Sequence, residues 1–214
     1  MSEPLTVYFS FRSPYSWLAL HRLDRLGDRL GAELRLVPVH PLPDSGLRDP
    51  AANHARLRHL IEDVGRMAQA YGLRLELPAS VDVRWELSHA AFTYAQEQER
   101  GLAFAVAASN ARFARGRDLG DPGVLGEVAA IVGLDPASVV DAAEDPARHA
   151  QVEAGIAAAV HAGVFGVPFF VYENHHFWGN DRLEWVLREI DRSHGRPVPD
   201  LAGAACLAPA WLPD

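Results

Sequence analysis

The chain has 214 residues, of which 49% are hydrophobic and 22% charged, enough to build one soluble globular domain or one domain with an insertion. Its formal charge of −8 argues against nucleic acid or an anionic membrane as the main partner, because both require clustered positive charge. A small-molecule substrate is the expected partner. The sequence contains no lysine, which excludes Schiff-base chemistry on a lysine side chain.

The amino-terminal stretch MSEPLTVYF is acidic where a signal peptide is basic, and its apolar run before Ser10 is short. We therefore expect neither a signal peptide nor a membrane-spanning helix. The single cysteine, Cys206, cannot form an intramolecular disulfide, which fits a reducing compartment. These features predict a cytoplasmic protein in which Cys206 has no catalytic role.

The first third of the chain predicts a β-α-β unit. Residues 5–9 form an apolar strand, and Pro14 then lies where the first turn of a helix tolerates a missing N–H. Leucines at helical spacing continue to residue 30, and Gly31 is placed to end the helix. Residues 34–39 form a second strand, so the two strands are expected to be parallel and joined by a right-handed crossover.

The middle of the chain, residues 49–162, shows almost only helical periodicity. One apolar stripe runs from Leu57 to Tyr71. Asp121 and Asp135 each precede a proline, the arrangement of a helix N-cap followed by the first helical residue. We therefore predict a block of helices here.

Strand patterns return near the carboxyl end, in residues 168–172 and 176–178, with a turn at 173–174. Asp181 and Glu184 then form a D-x-x-E pattern that predicts a capping box at the start of a final helix. The whole order predicts an α/β protein with a thioredoxin-like fold (βαβ…ββα). Residues 1–42 and 160–195 would form this domain, residues 43–159 a helical insertion, and residues 196–214 an extended tail. Such a fold does not fix a function.

Three segments, FSFRSPYSW, GVFGVPFF and FWGNDR, occur in this order with the helical block between them. In this arrangement the sequence resembles the kappa-class glutathione transferases and the related 2-hydroxychromene-2-carboxylate isomerases, both similar to DsbA-type disulfide oxidases. The similarity spans the chain. It implies a glutathione-dependent enzyme, commonly a homodimer, with its site at the S-P-x-S and G-V-P segments.

The S-P-x-S segment stands where DsbA-type oxidases have C-P-x-C, so Ser13 and Ser16 cannot exchange electrons. The positive end of the helix remains, and it can stabilise a thiolate supplied by a ligand. A free thiol has a pKa of about 8.5. A hydrogen bond from Ser13 to the sulfur, worth about 1.5–3 kcal/mol, together with the helix dipole would lower that pKa by roughly one to three units. Ser13 would then be a donor rather than a nucleophile, although helix capping alone also explains a serine here.

The resemblance assigns further cofactor-binding residues. Pro168 is similar to the cis-proline of thioredoxin-like sites, which leaves the backbone of Val167 to pair with the cysteinyl part of glutathione; an ordinary proline at a strand start is the alternative. The segment Trp178 to Asp181 (Trp178, Gly179, Asn180 and Asp181) is implied to contact glutathione, with backbone N–H groups for the γ-glutamyl carboxylate and the Asp181 carboxylate for the ammonium group.

Other candidates come from their position near these segments. Asn53 falls where the family contacts glutathione or substrate, and Arg12 and Trp85 are candidate substrate-binding residues, Arg12 for a substrate carboxylate. The family lysines near Asn53 are missing from this chain. The ten histidines show no zinc-binding spacing, so no metal is expected.

The sequence therefore predicts a glutathione-dependent isomerase of 2-hydroxychromene-2-carboxylate or a similar conjugated aromatic keto acid. The thiol cofactor, glutathione or another low-molecular-weight thiol, would add reversibly to a double bond with Ser13 stabilising the thiolate. A kappa-class glutathione transferase is the first alternative. A thioredoxin-like peptide-binding module without cysteines is the second.

Overall fold

The computed structural model of the chain describes residues 3–40, 54–80 and 83–198. These residues form a four-stranded mixed sheet with eight α-helices around it. The strands are β1 (Leu5–Phe9), β2 (Leu34–Pro38), β3 (Phe169–Tyr172) and β4 (His175–Trp178). The helices are α1 (Pro14–Leu26), α2 (His54–Ala70), α3 (Trp85–Glu97), α4 (Gly101–Phe113), α5 (Pro122–Ile131), α6 (Pro136–Glu144), α7 (Pro146–His161) and α8 (Leu183–Ser193).

The sheet has the order β2-β1-β3-β4 and confirms the predicted thioredoxin-like fold. Strands β1 and β2 are parallel, whereas β3 is antiparallel to β1 and β4 is antiparallel to β3. The carboxyl end of β1 and the amino end of β3 therefore lie at the same edge, since Tyr8 pairs with Phe169. This edge is where the S-P-x-S and G-V-P segments meet.

Both faces of the sheet are covered. Leu5, Val7 and Phe9 of β1 point into the main core, which the helices α1, α3, α4, α5 and α8 complete. The alternate residue Tyr8 faces a smaller apolar cluster that includes Ile156 of α7. Because successive side chains of a strand point to opposite faces, this alternation is the direct result of the sequence pattern of β1.

The first helix is shorter than predicted. We expected one helix over residues 15–30, but α1 ends at Leu26 and a 3₁₀ turn, Gly27–Leu30, follows. Gly27 has φ +48° and its N–H donates to the Leu23 carbonyl, which closes the α-helix early. Gly31, with φ +71°, ends the 3₁₀ turn, so the predicted stop residue is right and the helix type before it is wrong.

The helical block is confirmed from α2 onward, including the two aspartate caps. The Asp121 carboxylate accepts from the Gly123 N–H, and that of Asp135 accepts from the Ser138 N–H. The boundary of the insertion at residue 43 and the part of the tail beyond residue 198 lie outside the described residues. The predicted division into domains, with the tail beginning at residue 196, stays a prediction.

The predicted capping box at Asp181 is wrong. Residues Asn180–Arg182 form a 3₁₀ turn, and α8 begins after it without a side-chain cap. Glu184 makes an ion pair with Arg22 of α1 instead of turning back to the backbone of residue 181. A buried arginine requires a carboxylate partner more than an exposed helix end requires a cap, which explains the difference.

Candidate functional site

Residues 10–16, called the serine turn here, connect β1 to α1 and carry Ser13. The Ser13 N–H donates to the Ser10 carbonyl at 3.0 Å, and the Ser16 N–H donates to Ser13 Oγ at 3.2 Å, so Ser13 is the N-cap of α1. The Ser10 N–H donates to the Oγ of buried Ser16 at 3.3 Å. The second serine of S-P-x-S is therefore structural, and it holds the turn that presents the first.

His89 of α3 contacts the serine turn through Ser10. Its Nδ1 lies 2.6 Å from the Trp85 carbonyl, an acceptor, so Nδ1 carries the proton and Nε2 is left to accept from Ser10 Oγ at 3.5 Å. Burial lowers the pKa of His89 to about 3, and the nearby His40 ring adds to the effect. The Arg12 N–H donates to the same Ser10 Oγ at 3.2 Å, which connects the imidazole to the residue before Ser13.

Ser13 also faces the G-V-P segment across the edge of the sheet. The peptide bond between Val167 and Pro168 is cis, and Ser13 Oγ donates to the Val167 carbonyl at 3.4 Å. This distance is longer than the usual O–H···O range of about 2.5–3.0 Å, so the hydroxyl proton is weakly held. Ser13 itself is only partly buried. Its hydroxyl is thus positioned to donate to a stronger acceptor placed between α1 and Val167.

An exposed pair of aromatic rings stands beside the cis peptide bond. Trp178 is 47% exposed and Phe165 is 58% exposed, and their rings pack edge to face with centroids 5.0 Å apart. The Trp178 indole covers the backbone of Gly166, where a Cβ atom would lie only 2.8 Å from Nε1. Glycine is therefore required here for the close approach, and the two rings form an apolar wall next to Val167.

The WGNDR loop, residues 178–182, is held by buried contacts from two other helices. The Asn180 side chain is buried, and its Nδ2 donates to Tyr71 Oη at 3.2 Å. The buried Arg22 guanidinium donates to the Asn180 carbonyl at 2.6 Å and makes an ion pair with Glu184. The Asn180 side chain is therefore engaged within the protein, and its part in the site is to fix the backbone of the loop.

Gly179 and Asp181 complete this loop. Gly179 has φ +111°, and a Cβ atom there would lie 2.5 Å from Asp181 Oδ1, so the loop conformation requires glycine. The Asp181 carboxylate is exposed and pairs with Arg182 at 2.9 Å. Its negative charge also reaches Tyr15 of the S-P-Y-S segment: burial raises the pKa of the Tyr15 hydroxyl, and the charges of Asp63 and Asp181 add to the rise.

The candidate substrate residues Arg12, in the serine turn, and Trp85 both lie near Arg112 of α4. Trp85 is buried at the start of α3, and the guanidinium of Arg112 from α4 stacks over its ring at 4.9 Å. Arg12 lies close enough to Arg112 to lower the pKa of that guanidinium. The two predicted residues are therefore brought together by a third residue that the sequence analysis did not single out.

Some predicted features lie elsewhere. Asn53 and Cys206 lie outside the described residues. A cavity of about 180 Å³ at the end of β2 is lined by none of the predicted site residues; its lining is His40, Glu86, His149, Val152 and Glu153. Across residues 3–40, 54–80 and 83–198, no three His, Cys, Asp or Glu side chains are grouped to hold a metal ion. In that same part of the chain, no helix has the length and apolar character needed to cross a membrane.

Fold and site together define a thioredoxin-fold protein that carries serines, and no cysteine, where β1 meets α1. The family model of the DsbA-like thioredoxin domain matches residues 4–191. A 2-hydroxychromene-2-carboxylate isomerase from Sphingobium xenophagum is 30% identical over 195 residues, which cover 87% of this chain and 97% of the relative. The chain therefore belongs to the DsbA-like thioredoxin family and, within it, to the 2-hydroxychromene-2-carboxylate isomerases, a family of enzymes.

Solved structures agree with this placement. The structure of a 2-hydroxychromene-2-carboxylate isomerase superposes with a TM-score of 0.79 at 25% identity, covering 89% of this chain and 95% of that chain. The cytosolic disulfide reductase DsbM from Pseudomonas aeruginosa, solved with GSH, superposes with a TM-score of 0.62 at 19% identity, covering 88% of this chain and 94% of that chain. The second likeness shows the shared fold alone.

Four residues that matter to the geometry were missed by the sequence analysis: Arg22, Tyr71, His89 and Arg112. Arg22, His89 and Arg112 lie on helices, and Tyr71 directly follows α2. Each acts on a segment distant in the chain; Arg22 and Asn180, for example, are 158 positions apart. Arginines and histidines on helices usually face solvent, so no local pattern distinguishes these four. The sequence indicates buried polar contacts only through the number of polar residues that fall on the buried faces of α1, α3 and α4.

Proposed function

We propose that the protein is a glutathione-dependent isomerase acting on 2-hydroxychromene-2-carboxylate or a similar conjugated aromatic keto acid. The observation that carries the proposal is the position of Ser13 Oγ, at the N-terminus of α1 and 3.4 Å from the Val167 carbonyl. When bound, glutathione supplies a thiolate that adds reversibly to the substrate double bond. This chain supplies the groups that bind the thiol and keep it ionised.

The residues around Ser13 fit a small thiol. Ser13 is partly exposed, its hydroxyl bond to Val167 is long, and the Tyr15 N–H of the first turn of α1 has no acceptor within the helix. Ser13 donates its hydroxyl proton toward the sulfur position, and the positive end of α1 favours negative charge there. Together these effects would lower the thiol pKa by roughly one to three units. The serine alkoxide is not required.

The remaining predicted residues would hold the rest of the cofactor. The backbone of Val167 lies beyond the paired part of β3, which leaves it available to an extended peptide such as glutathione. Asp181 offers a carboxylate to the γ-glutamyl ammonium group, and Asn180 and Asp181, at the start of the 3₁₀ turn, offer backbone N–H groups to the γ-glutamyl carboxylate. The Trp178 indole would cover one side of the bound cofactor. Asn53, which the family resemblance adds to this set, stays a prediction.

The test measures isomerisation of 2-hydroxychromene-2-carboxylate with and without glutathione for wild type and Ser13→Ala. We expect turnover that requires glutathione, and a loss of about tenfold or more in kcat/KM at neutral pH in the variant. Ser193→Ala is the matched control, because Ser193 also makes two side-chain hydrogen bonds, to Tyr172 and the Ile190 carbonyl, but lies at the end of α8. Its kcat/KM should equal that of wild type.

Equal activity of Ser13→Ala and wild type would overturn the proposal. Conjugation of glutathione to an added electrophile, without isomerisation, would assign the protein to the transferase alternative. Absence of any thiol binding would favour the peptide-binding module. The proposal includes a cytoplasmic location and a homodimer, which cell fractionation and light scattering of the purified protein check.

A further inference from the structure

Two buried N–H donors next to the serine turn have no acceptor. Arg112 is 2% exposed and Trp85 is 6% exposed. Within residues 3–40, 54–80 and 83–198, neither Arg112 Nε nor Trp85 Nε1 makes a hydrogen bond. The other guanidinium nitrogens of Arg112 donate to the carbonyls of Ser80 and Arg117. Buried N–H donors normally have a hydrogen-bond acceptor. Two donors without one, on side chains that stack on each other, therefore require an explanation.

The Arg112 guanidinium of this pair is a buried cation with charges of both signs near it. Its pKa is lowered to about 10, chiefly by burial; the negative charge of Asp118 opposes this decrease, and the positive charge of Arg12 adds to it. Arg112 remains protonated at neutral pH even so. No carboxylate of the described residues forms an ion pair with Arg112 within 4.0 Å. A buried cation in such surroundings favours a bound anion.

The pair is connected to the candidate thiol site by a short path of hydrogen bonds. The Trp85 carbonyl accepts from His89 Nδ1 at 2.6 Å, and Ser10 Oγ donates to His89 Nε2 at 3.5 Å. Ser10 Oγ also accepts from the Arg12 N–H at 3.2 Å, and Ser13 follows Arg12 directly. The backbone of Trp85 is thus joined through His89 to the turn that carries Ser13.

We propose that Arg112 and Trp85, with Arg12 beside them, form a carboxylate-binding site that holds the acid group of the substrate. The carboxylate would accept from Arg112 Nε and Trp85 Nε1. This site deepens the proposed function, on which it rests, by naming the residues that hold the acid group of the substrate. It also gives this lysine-free chain a cation for the substrate carboxylate.

The test uses binding rather than turnover, so that its failure is distinct from a failure of the isomerase proposal. Calorimetry would compare trans-cinnamate with its neutral isostere trans-cinnamamide on the full-length protein. We expect wild type to prefer the acid by about tenfold or more, the value of one hydrogen bond to a charged group. Arg112→Lys, which keeps the charge but loses Nε, and Trp85→Phe, which keeps a ring but loses Nε1, should each reduce that preference severalfold. Affinity for glutathione should stay unchanged.

Arg148→Lys is the matched control. Arg148 is also largely buried and stacks on an aromatic ring, that of Tyr94 at 5.5 Å, but it pairs with Glu97 away from the serine turn. Its variant should keep the full preference for the acid. Equal binding of acid and amide by wild type, or an undiminished preference in a folded Arg112→Lys, would overturn the proposal. If Arg112→Lys does not fold, Trp85→Phe decides alone: an unchanged preference there also overturns it.

Discussion

The serine turn and the WGNDR loop meet at the same edge of the sheet but are held in different ways. Within the serine turn, most hydrogen bonds join residues three to six positions apart, such as Ser13 to Ser16 and Ser10 to Ser16. The WGNDR loop is fixed by Arg22 and Tyr71, which lie 158 and 109 positions from Asn180. The first region is therefore encoded locally, and the second depends on the packing of α1 and α2.

This difference predicts that the two regions respond to different perturbations. The serine turn is supported by the neutral His89 of α3 and should be sensitive to acid. The WGNDR loop rests on a buried cation and should be sensitive to its removal. Each of the following experiments disturbs one of the two regions.

Acidification is expected to have the largest effect. The pKa of His89 falls from 6.5 to about 3 on folding, mainly through burial, so the folded state binds fewer protons than the unfolded state between these pH values. Stability should therefore decrease as the pH drops from 6.5 toward 3, by about 1.4 kcal/mol per pH unit from this group alone. Urea unfolding of wild type and His89→Gln across this range measures the difference in slope.

His161→Gln is the control for this titration, because His161 is exposed at the end of α7. Its acid dependence should match that of wild type. If His89→Gln loses stability with falling pH as steeply as wild type does, His89 is not the neutral support described above.

Removal of Arg22 is expected to have the second-largest effect. Arg22→Met leaves Glu184 without its partner and the Asn180 carbonyl without its donor, which should cost about 3 kcal/mol of unfolding free energy. Affinity for glutathione should fall by about tenfold, because the loop that carries Asp181 is released. The pKa of the bound thiol should not change, since Ser13 is untouched.

Arg148→Met provides the comparison for Arg22→Met. Arg148 also pairs with a glutamate and lies over a tyrosine ring, but its partner Glu97 is half exposed. The free energy of unfolding should therefore decrease by about 1 kcal/mol, without any change in glutathione affinity. Equal losses of affinity in both variants would show that Arg22 acts on global stability and not on the WGNDR loop.

A smaller effect is expected from Tyr71→Phe. The variant loses only the hydroxyl that accepts from Asn180 Nδ2 at 3.2 Å, a contribution of about 1 kcal/mol to stability. The affinity for glutathione should decrease severalfold, with kcat at saturating glutathione unchanged. A changed kcat and an unchanged KM for glutathione would contradict the positioning role given to this contact.

The contrast between the two regions also explains what the sequence could predict. The strands, the two aspartate caps and the serine turn depend on local alternation, on Asp-Pro pairs and on S-P-x-S, and these predictions are confirmed by the structure. The early end of α1 at Gly27 was missed because a glycine within a leucine stripe is tolerated in many helices.

The error at Asp181 has a different origin. The D-x-x-E pattern is a sound capping signal in isolation, but Glu184 is taken by Arg22, whose burial no neighbouring residue reveals. The contact of Arg112 with Trp85, which joins two helices, is likewise not indicated by any neighbouring residue. Contacts between elements that are separate in the chain arise from tertiary packing, and a single sequence carries no pattern for them.

The central claim is that Ser13 and the N-terminus of α1 stabilise a thiolate that the protein does not itself contain. The most direct test is the pKa of the glutathione thiol bound to the protein, followed by the ultraviolet absorbance of the thiolate in wild type and Ser13→Ala. The account predicts a value roughly one to three units below the free thiol value of about 8.5 in wild type, and a return toward that value in Ser13→Ala. The same thiol pKa in both proteins would contradict it.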